Sequence, residues 1–215
     1  MSLLLPGERR SISVWEAALA VGLVLGLCAF GCATPGHGRH ARPTVIEAAR
    51  REARTLEQHA PKTGDKTGDK TGGDESAVLV ARALRDTGLR FGTDGSARAL
   101  WGYLRTSHQV VAASRARPGD VVFFDTVGSA ERPPECADHA GIVTDVDADG
   151  RIAFLEVRDG HVRTSYAHPG MPLVRRDASD HVLNSFMRPK KIDDPPDRRY
   201  FAGQMLCAVA RVSRL

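Results

Sequence analysis

One histidine and one carboxylate in this sequence have the spacing expected of a catalytic base and the group that orients it. His139 begins a short apolar run, HAGIV, and Glu156 lies in the next apolar run, beyond a turn at residues 147–150. A histidine titrates near neutral pH, and a neighbouring acceptor can fix its tautomer. If the two runs pair as strands, the imidazole and the carboxylate can face each other. The alternative without chemistry is that His139 is a loop-edge residue and Glu156 a solvated carboxylate.

Three β-strands are predicted to position this pair. The segment RPGDVVFFD places turn residues before four consecutive apolar residues at 121–124, the pattern of a strand buried on both faces. A second strand is predicted over residues 138–143 and a third over 151–157, with an Asp-Gly hairpin turn between them. The sequence therefore predicts an antiparallel meander, with His139 at the start of its middle strand and Glu156 on the next.

Helices are predicted before the meander. Three segments have the three- and four-residue apolar spacing of helices: residues 44–59, 76–89 and 96–105. Gly88 is a stop signal for the second of these, and Ser76 is a candidate N-terminal cap for it. After the meander we expect a strand at 162–166 and a strand or short helix at 200–212.

Two further histidines, His161 and His168, flank the predicted strand at 162–166. Nothing in their spacing relates them to His139. We expect both at the protein surface.

Composition and charge favour one folded domain with an unstructured lead. The chain has 215 residues, of which 42% are hydrophobic, and a formal net charge of +4. The positive charge is spread in short clusters, and no long basic arm is interleaved with aromatic residues. We therefore predict no nucleic-acid partner.

The N-terminal residues predict export. Arg9 and Arg10 precede an uncharged apolar run at 17–31, which is too short to span a bilayer comfortably but fits a secretory signal. The run ends in AFGCA, which resembles a bacterial lipobox with Cys32 as the lipidated first residue of the mature chain. Ala29 stands where that pattern usually has leucine, which leaves cleavage by an ordinary signal peptidase, or retention as an anchor, as alternatives. The predicted location is periplasmic, or at a membrane through a lipid anchor on Cys32.

The predicted organisation has three parts. Residues 1–32 form the signal peptide and lipobox, residues 33–74 a tether with a short helix and a low-complexity linker, and residues 75–215 the folded domain. The linker KTGDKTGDKTGGD, at 62–74, has no apolar member and so cannot contribute to a core.

Two cysteines, Cys136 and Cys207, remain in the body of the mature chain. In an oxidising compartment they can pair as a structural disulfide. Cys136 also lies three residues before His139, so a free thiol at this position is an alternative nucleophile. No CxxC or Cys/His spacing typical of zinc sites is present, and we predict no metal and no cofactor.

The succession of helices, RPGDVVFF, DHAGIV, a hairpin and FLEV resembles the NlpC-type and CHAP cell-wall hydrolases. These are papain-like cysteine peptidases and amidases that cut the peptide part of peptidoglycan. The resemblance covers roughly residues 75–166. It implies an α+β protein with the papain-like NlpC/CHAP fold, in which N-terminal helices pack on a small antiparallel sheet. It also implies peptidoglycan or another envelope polymer as the partner.

In these hydrolases a cysteine at the start of the first domain helix is the nucleophile, and a histidine acts on it as base and acid. His139 matches the family histidine, and Glu156 matches the polar residue on the next strand that orients it. Aligning the helix by its apolar positions puts Ser76 where the cysteine should be, and a second register puts Gly95 there. We prefer the first, because residues 96–105 can then be the helix that the family places before the PGD strand. Neither register supplies a cysteine.

Four functions follow as hypotheses. In the first, the domain is a degenerate hydrolase that binds or scaffolds envelope components. In the second, it is an active peptidoglycan peptidase or amidase with Ser76 as nucleophile, His139 as base and Glu156 as orienting group. In the third, Cys136 is the nucleophile, and in the fourth the chain is an unrelated exported β-rich binding module. We expect the first, because a serine hydroxyl ionises far less readily than a thiol in a site built for an ion pair.

Overall fold

A computed structural model gives the three-dimensional structure of the chain and describes residues 44–59, 75–89, 96–107, 109–126, 136 and 138–212. All of these residues belong to one compact unit. The predicted signal peptide and lipobox at 1–32 and the low-complexity linker at 62–74 lie outside the described residues.

Six strands of the described chain form an antiparallel sheet. They are β1 (Val110–Val111), β2 (Val121–Phe124), β3 (His139–Val146), β4 (Ile152–Arg158), β5 (His161–Ala167) and β6 (Leu206–Ala210). Their order across the sheet is β1-β6-β2-β3-β4-β5. The predicted meander is confirmed as β2, β3 and β4, and the strand expected at 162–166 is β5. The tight turn between β3 and β4 is closed by Gly150, whose amide donates to the carbonyl oxygen of Asp147 at 3.0 Å.

The helices are α1 (Val45–His59), α2 (Glu75–Asp86), α3 (Ala97–Thr106) and the short α4 (Ala202–Met205), with a 3-10 turn at Ala113–Arg115. The side chain of Ser96 caps α3 by accepting from the amide of Ala99, and α2 stops before Gly88, which has the left-handed φ of +91° that favours glycine. The segment expected to be a strand or a short helix contains both, α4 and then β6. The mixed α+β class predicted from the sequence is confirmed. Within the described residues, no helix combines the length and the apolarity needed to cross a bilayer.

Each face of the sheet carries its own apolar cluster, because successive residues of a strand point to opposite sides. On the first, which we call the helix face, α1, α2 and α3 pack against six strand residues: Val121, Phe123, Ala140, Ile142, Leu155 and Ala210. On the second, the opposite face, α4 and Met187 pack against Val122, Phe124, Val143, Ile152 and Phe154. All four residues of β2 are buried, as the apolar run predicts.

The helix α1 belongs to the core of the folded unit rather than to a tether. Ala48 and Ala49 are fully buried in the cluster of the helix face, and Ala53 is 7% exposed against Leu79 of α2. Small alanine side chains allow this close approach, while the charged residues of α1 face away from the cluster. The folded unit therefore starts earlier than the predicted boundary at residue 75.

Candidate functional site

The strands β3 and β4 bring His139 and Glu156 together. Nε2 of His139 lies 2.6 Å from Oε2 of Glu156. The histidine side chain is 12% exposed and the glutamate side chain is fully buried. The spatial pairing predicted from the two apolar runs and the turn between them is confirmed, and a catalytic role for the pair stays a prediction.

The second oxygen of the Glu156 carboxylate is also occupied. Oε1 accepts hydrogen bonds from a guanidinium nitrogen of Arg158 and from the hydroxyl of Ser165. Arg158 lies two residues further along β4, on the same side of the strand, and Ser165 lies on the neighbouring β5. A buried carboxylate is costly unless it is paired and hydrogen-bonded, and these three partners meet that requirement.

The Glu156 carboxyl group is ionised at neutral pH. Burial raises its pKa, but the hydrogen bond and the charge of His139, together with those of Arg158, lower it further than burial raises it. The net pKa lies below the ordinary value of 4.5. Glu156 can therefore orient the imidazole ring of His139 and stabilise its protonated form.

The pair lies on the opposite face of the sheet, away from α2. His139 is the register partner of Phe124, and the two ring centroids are 6.0 Å apart. Paired residues of antiparallel strands place their side chains on the same face, and Phe124 belongs to the cluster of the opposite face. Glu156 follows by the same alternation, since Phe154 lies two residues before it.

Ser76 lies on the other side of the sheet, in the first turn of α2. It is fully buried, and its hydroxyl donates to the carbonyl oxygen of Ala140 at 2.5 Å and accepts from the amide of Val157 at 3.1 Å. The hydroxyl thus joins the backbones of β3 and β4 just beyond the Ile142 and Leu155 pair of their register.

This position corrects the expected triad. The structure brings His139 and Glu156 together but leaves Ser76 across the sheet from the imidazole, with its hydroxyl bonded to two backbone groups. Ser76 also differs from the expected N-terminal cap, because it lies inside the first turn of α2 and its hydroxyl bonds to the backbones of β3 and β4. The alternative register puts Gly95 at the nucleophile position, and that residue lies outside the described residues.

Cys136 forms a disulfide with Cys207, with their Cα atoms 5.5 Å apart. The bond joins the chain just before β3 to the second residue of β6. The predicted structural disulfide is confirmed. The alternative in which Cys136 is the nucleophile is wrong, because a disulfide sulfur is not an available thiolate.

Sequence reasoning missed Arg158 and Ser165 as partners of Glu156. The position of Arg158 beside Glu156 was predictable from the sequence, since residues two apart in a strand share a face. The position of Ser165 was also predictable, because an Asp159-Gly160 hairpin turn pairs Arg158 with His161 and thereby aligns Ser165 with Phe154.

His168 is not a surface residue, contrary to expectation. It is 5% exposed, its backbone amide donates to Oδ1 of Asn184 at 2.8 Å, and its Nδ1 accepts from the amide of Met171 at 3.2 Å. The side chain thus holds the turn that follows β5. His161 is exposed, as expected.

The chemistry available to the site follows from these contacts. An imidazole against an ionised carboxylate can accept a proton or hold one as half of an ion pair. Covalent catalysis also requires a nucleophile within hydrogen-bond reach of the base. Ser76 lies on the other face of the sheet, and the sulfur of Cys136 is held in a disulfide. Among the described residues, no group of three or more His, Cys, Asp or Glu side chains is placed to hold a metal ion.

Comparison of the chain with models of protein families, with curated proteins and with solved structures found no match. Its function is therefore inferred from the geometry of the site together with the features of the sequence.

Proposed function

We propose that this chain is an exported cell-envelope protein whose NlpC/CHAP-like, papain-like domain binds or scaffolds an envelope polymer, such as peptidoglycan, instead of cutting it. The observation that carries the proposal is the state of the two candidate nucleophiles. The sulfur of Cys136 is in a disulfide, and the hydroxyl of Ser76 is buried and bonded to two strands. The histidine and the carboxylate that remain can bind and orient a ligand.

The polar groups of the opposite face support a binding role. Glu156 holds His139 on one oxygen and Arg158 on the other, and both partners keep part of their side chains exposed, 12% and 19%. Donors that are already fixed lose little conformational freedom when they bind an acceptor. A wall polymer presents many carbonyl and carboxylate oxygens that such donors can bind.

The disulfide supports export. Disulfides persist in oxidising compartments and are rare in the cytosol. Together with the signal-like N-terminal run and its lipobox resemblance, this supports a periplasmic location or a lipid anchor at Cys32.

The proposal is tested by mixing the full-length protein with purified peptidoglycan sacculi. We expect the protein to sediment with the sacculi and to release no soluble muropeptides. His139→Gln should lower the affinity of the protein for sacculi by about tenfold, because one charge-assisted hydrogen bond is lost. His161→Gln, at the exposed histidine that begins β5, two strands away from β3, is the matched control and should sediment like the wild type. Protein that stays in the supernatant contradicts the proposal.

An active hydrolase is the second candidate, and the 2.6 Å contact between His139 and Glu156 is the observation that favours it. Release of muropeptides in the same assay would establish it. His139→Ala should then abolish release, and Ser76→Ala would show whether the buried serine takes part. Retained release in Ser76→Ala would place the nucleophile elsewhere in the chain.

A further inference from the structure

A pocket of about 470 Å³ lies beside the Glu156 network, on the far side of Arg158. Residues from the end of β4, from β5 and from the segment 186–190 line it. Its volume is in the range of pockets that take small molecules. None of the predictions made from the sequence involves this pocket.

The charged side chains of the lining are mostly cationic. Four positively charged residues line the pocket, against the single carboxylate of Asp159: Arg158, Arg163, Arg188 and Lys190. The carboxylates that balance Arg158 and Arg188 are Glu156 and Asp194, which are 0% and 7% exposed and lie behind the lining. The surface that a ligand meets is therefore positively charged.

Two of these guanidinium groups are fixed in place. Arg158 donates to the carbonyl oxygen of Phe186 as well as to Glu156. Arg188 lies 3.2 Å from Asp194, and its buried Nε–H has no acceptor among the described residues. Fixed guanidinium forks match the two oxygens of a carboxylate or a phosphate, and little entropy is lost when they bind one.

The other part of the lining is apolar. Phe186, Met187 and Pro189 contribute to it, and the Phe186 ring is held although the residue is 40% exposed. That ring packs against Phe201, with centroids 5.0 Å apart, and lies under the guanidinium of Arg175 at 4.7 Å. An exposed aromatic ring that is fixed in this way offers a stacking surface for an apolar or aromatic group of a ligand.

We propose that this pocket binds a small ligand that carries an oxyanion, either a carboxylate or a phosphate, next to an apolar or aromatic group. The oxyanion is held by the cations of the lining, and the apolar group lies against Phe186. The inference goes beyond the proposed function, because it names a ligand chemistry and does not require a wall polymer.

The test is calorimetric titration of the full-length protein with four probes: N-acetylphenylalanine, its uncharged amide, phenyl phosphate and inorganic phosphate. We expect the first and third to bind in the millimolar range or tighter, and to bind at least about tenfold more tightly than the amide, since one charge-assisted contact contributes that much. The tighter of the two identifies the source of the oxyanion. Inorganic phosphate should bind more weakly than phenyl phosphate, because it lacks the apolar group.

Two substitutions test cations other than the His139 and Arg158 partners of Glu156. Arg163→Gln and Lys190→Gln each remove one positive charge from the lining. Each should lower the affinity for the tighter-binding probe by about fivefold to tenfold. Arg176→Gln is the matched control. Arg163 and Arg176 are both ion-paired with an aspartate four residues away, but Arg176 lies outside the pocket. The control should change the affinity by less than about twofold.

The proposal is overturned if the amide binds as tightly as the acid, or if the two lining variants bind like the Arg176→Gln control. It is also overturned if no probe binds at about 10 mM, since even weak fragments saturate a preformed pocket in that range. Sedimentation with sacculi is measured separately, so failure of this pocket leaves the proposed wall binding intact. Failure of wall binding likewise leaves the pocket to be judged by its own titrations.

Discussion

The two faces of the sheet are built from different chemistry. The helix face is an apolar cluster, and Ser76 is the buried polar side chain that α1, α2 and α3 contribute to it within the described residues. The opposite face has an equally apolar centre, but at one end it carries a bonded group of Glu156, His139, Arg158 and Ser165. Regular helices cover the first face, and the short α4 with irregular chain covers the second.

The two faces therefore differ in role: the helix face supports the fold, and the opposite face carries the polar groups that can do chemistry. Helices packed on an apolar face fix the strands, and the single hydroxyl of Ser76 there bonds to the backbones of two strands. The charged group on the opposite face is partly exposed and adjoins the pocket through Arg158, which belongs to the group and also lines the pocket. We infer that ligand recognition belongs to the opposite face, and that the helix face serves stability.

The largest effect should come from removing Glu156. Glu156→Ala leaves His139, Arg158 and Ser165 without their shared acceptor, and breaking a buried ion pair in this way costs about 3–5 kcal/mol of unfolding free energy. Urea denaturation followed by circular dichroism measures it. Should the variant fail to fold, Glu156→Gln keeps the volume and part of the hydrogen bonding and should lose less. A loss below about 1 kcal/mol for Glu156→Ala would mean that the charged group contributes little to the opposite face.

Gly141 of β3 tests how tightly the opposite face is packed, because it lies against the ring of Phe154. A Cβ atom at this position would lie 2.7 Å from Cδ2 of Phe154 and 2.9 Å from the carbonyl oxygen of Leu155. Gly141→Ala should therefore cost up to about 3 kcal/mol, as overpacked cores do.

Gly102 of α3 is the matched control for that substitution. No atom lies within 4 Å of a Cβ built there, so Gly102→Ala should raise the stability by about 0.5–1 kcal/mol through helix propensity. Thermal melting of the two variants measures the contrast. Similar changes in the melting temperatures of the two variants would show that the residues around Gly141 move aside more easily than the distances there indicate.

Ser76→Ala tests the interpretation of the helix face. Removing the hydroxyl leaves the carbonyl of Ala140 and the amide of Val157 without their bridge, which should cost about 2 kcal/mol. Ser96→Ala, at the cap of α3, is the comparison and should cost about 1 kcal/mol. If Ser76→Ala were as stable as the wild type but abolished muropeptide release, the serine would be a nucleophile and the division between the faces would fail.

Much of the fold follows from local sequence patterns. The apolar run at 121–124, the Asp-Gly turn and the run that contains Glu156 predict the meander, and a meander of this length brings His139 close to Glu156. These features depend on residues close together in the chain. The cysteine pair was one of two alternatives left open by the sequence, and the structure selects the disulfide.

The side of the sheet on which each group lies was not predictable in the same way. A shift of one residue in strand register moves every side chain to the other face, so the apolar runs alone do not relate Ser76 to His139. Three charged residues separate Ala49 from Ala53 in α1, so the sequence pattern did not predict that this helix packs on the core. The contact of Ser165 with Glu156 depends on the register of β5, which the Asp159-Gly160 turn fixes and which the prediction of a strand at 162–166 did not use.

The smallest effect is the pH dependence of the Glu156 contribution. Its pKa is lowered in the folded protein, so the stability it contributes is present above its ordinary pKa of 4.5 and is lost as the pH falls through the lower, folded value. Glu156→Gln lacks this group. The difference in unfolding free energy between wild type and Glu156→Gln should therefore be largest near neutral pH and shrink below about pH 4.5. Urea titrations of both proteins from about pH 7 to about pH 3 measure this difference. A difference that stays constant over that range would mean that protonating Glu156 costs the fold nothing, and that its partners do not depend on its charge.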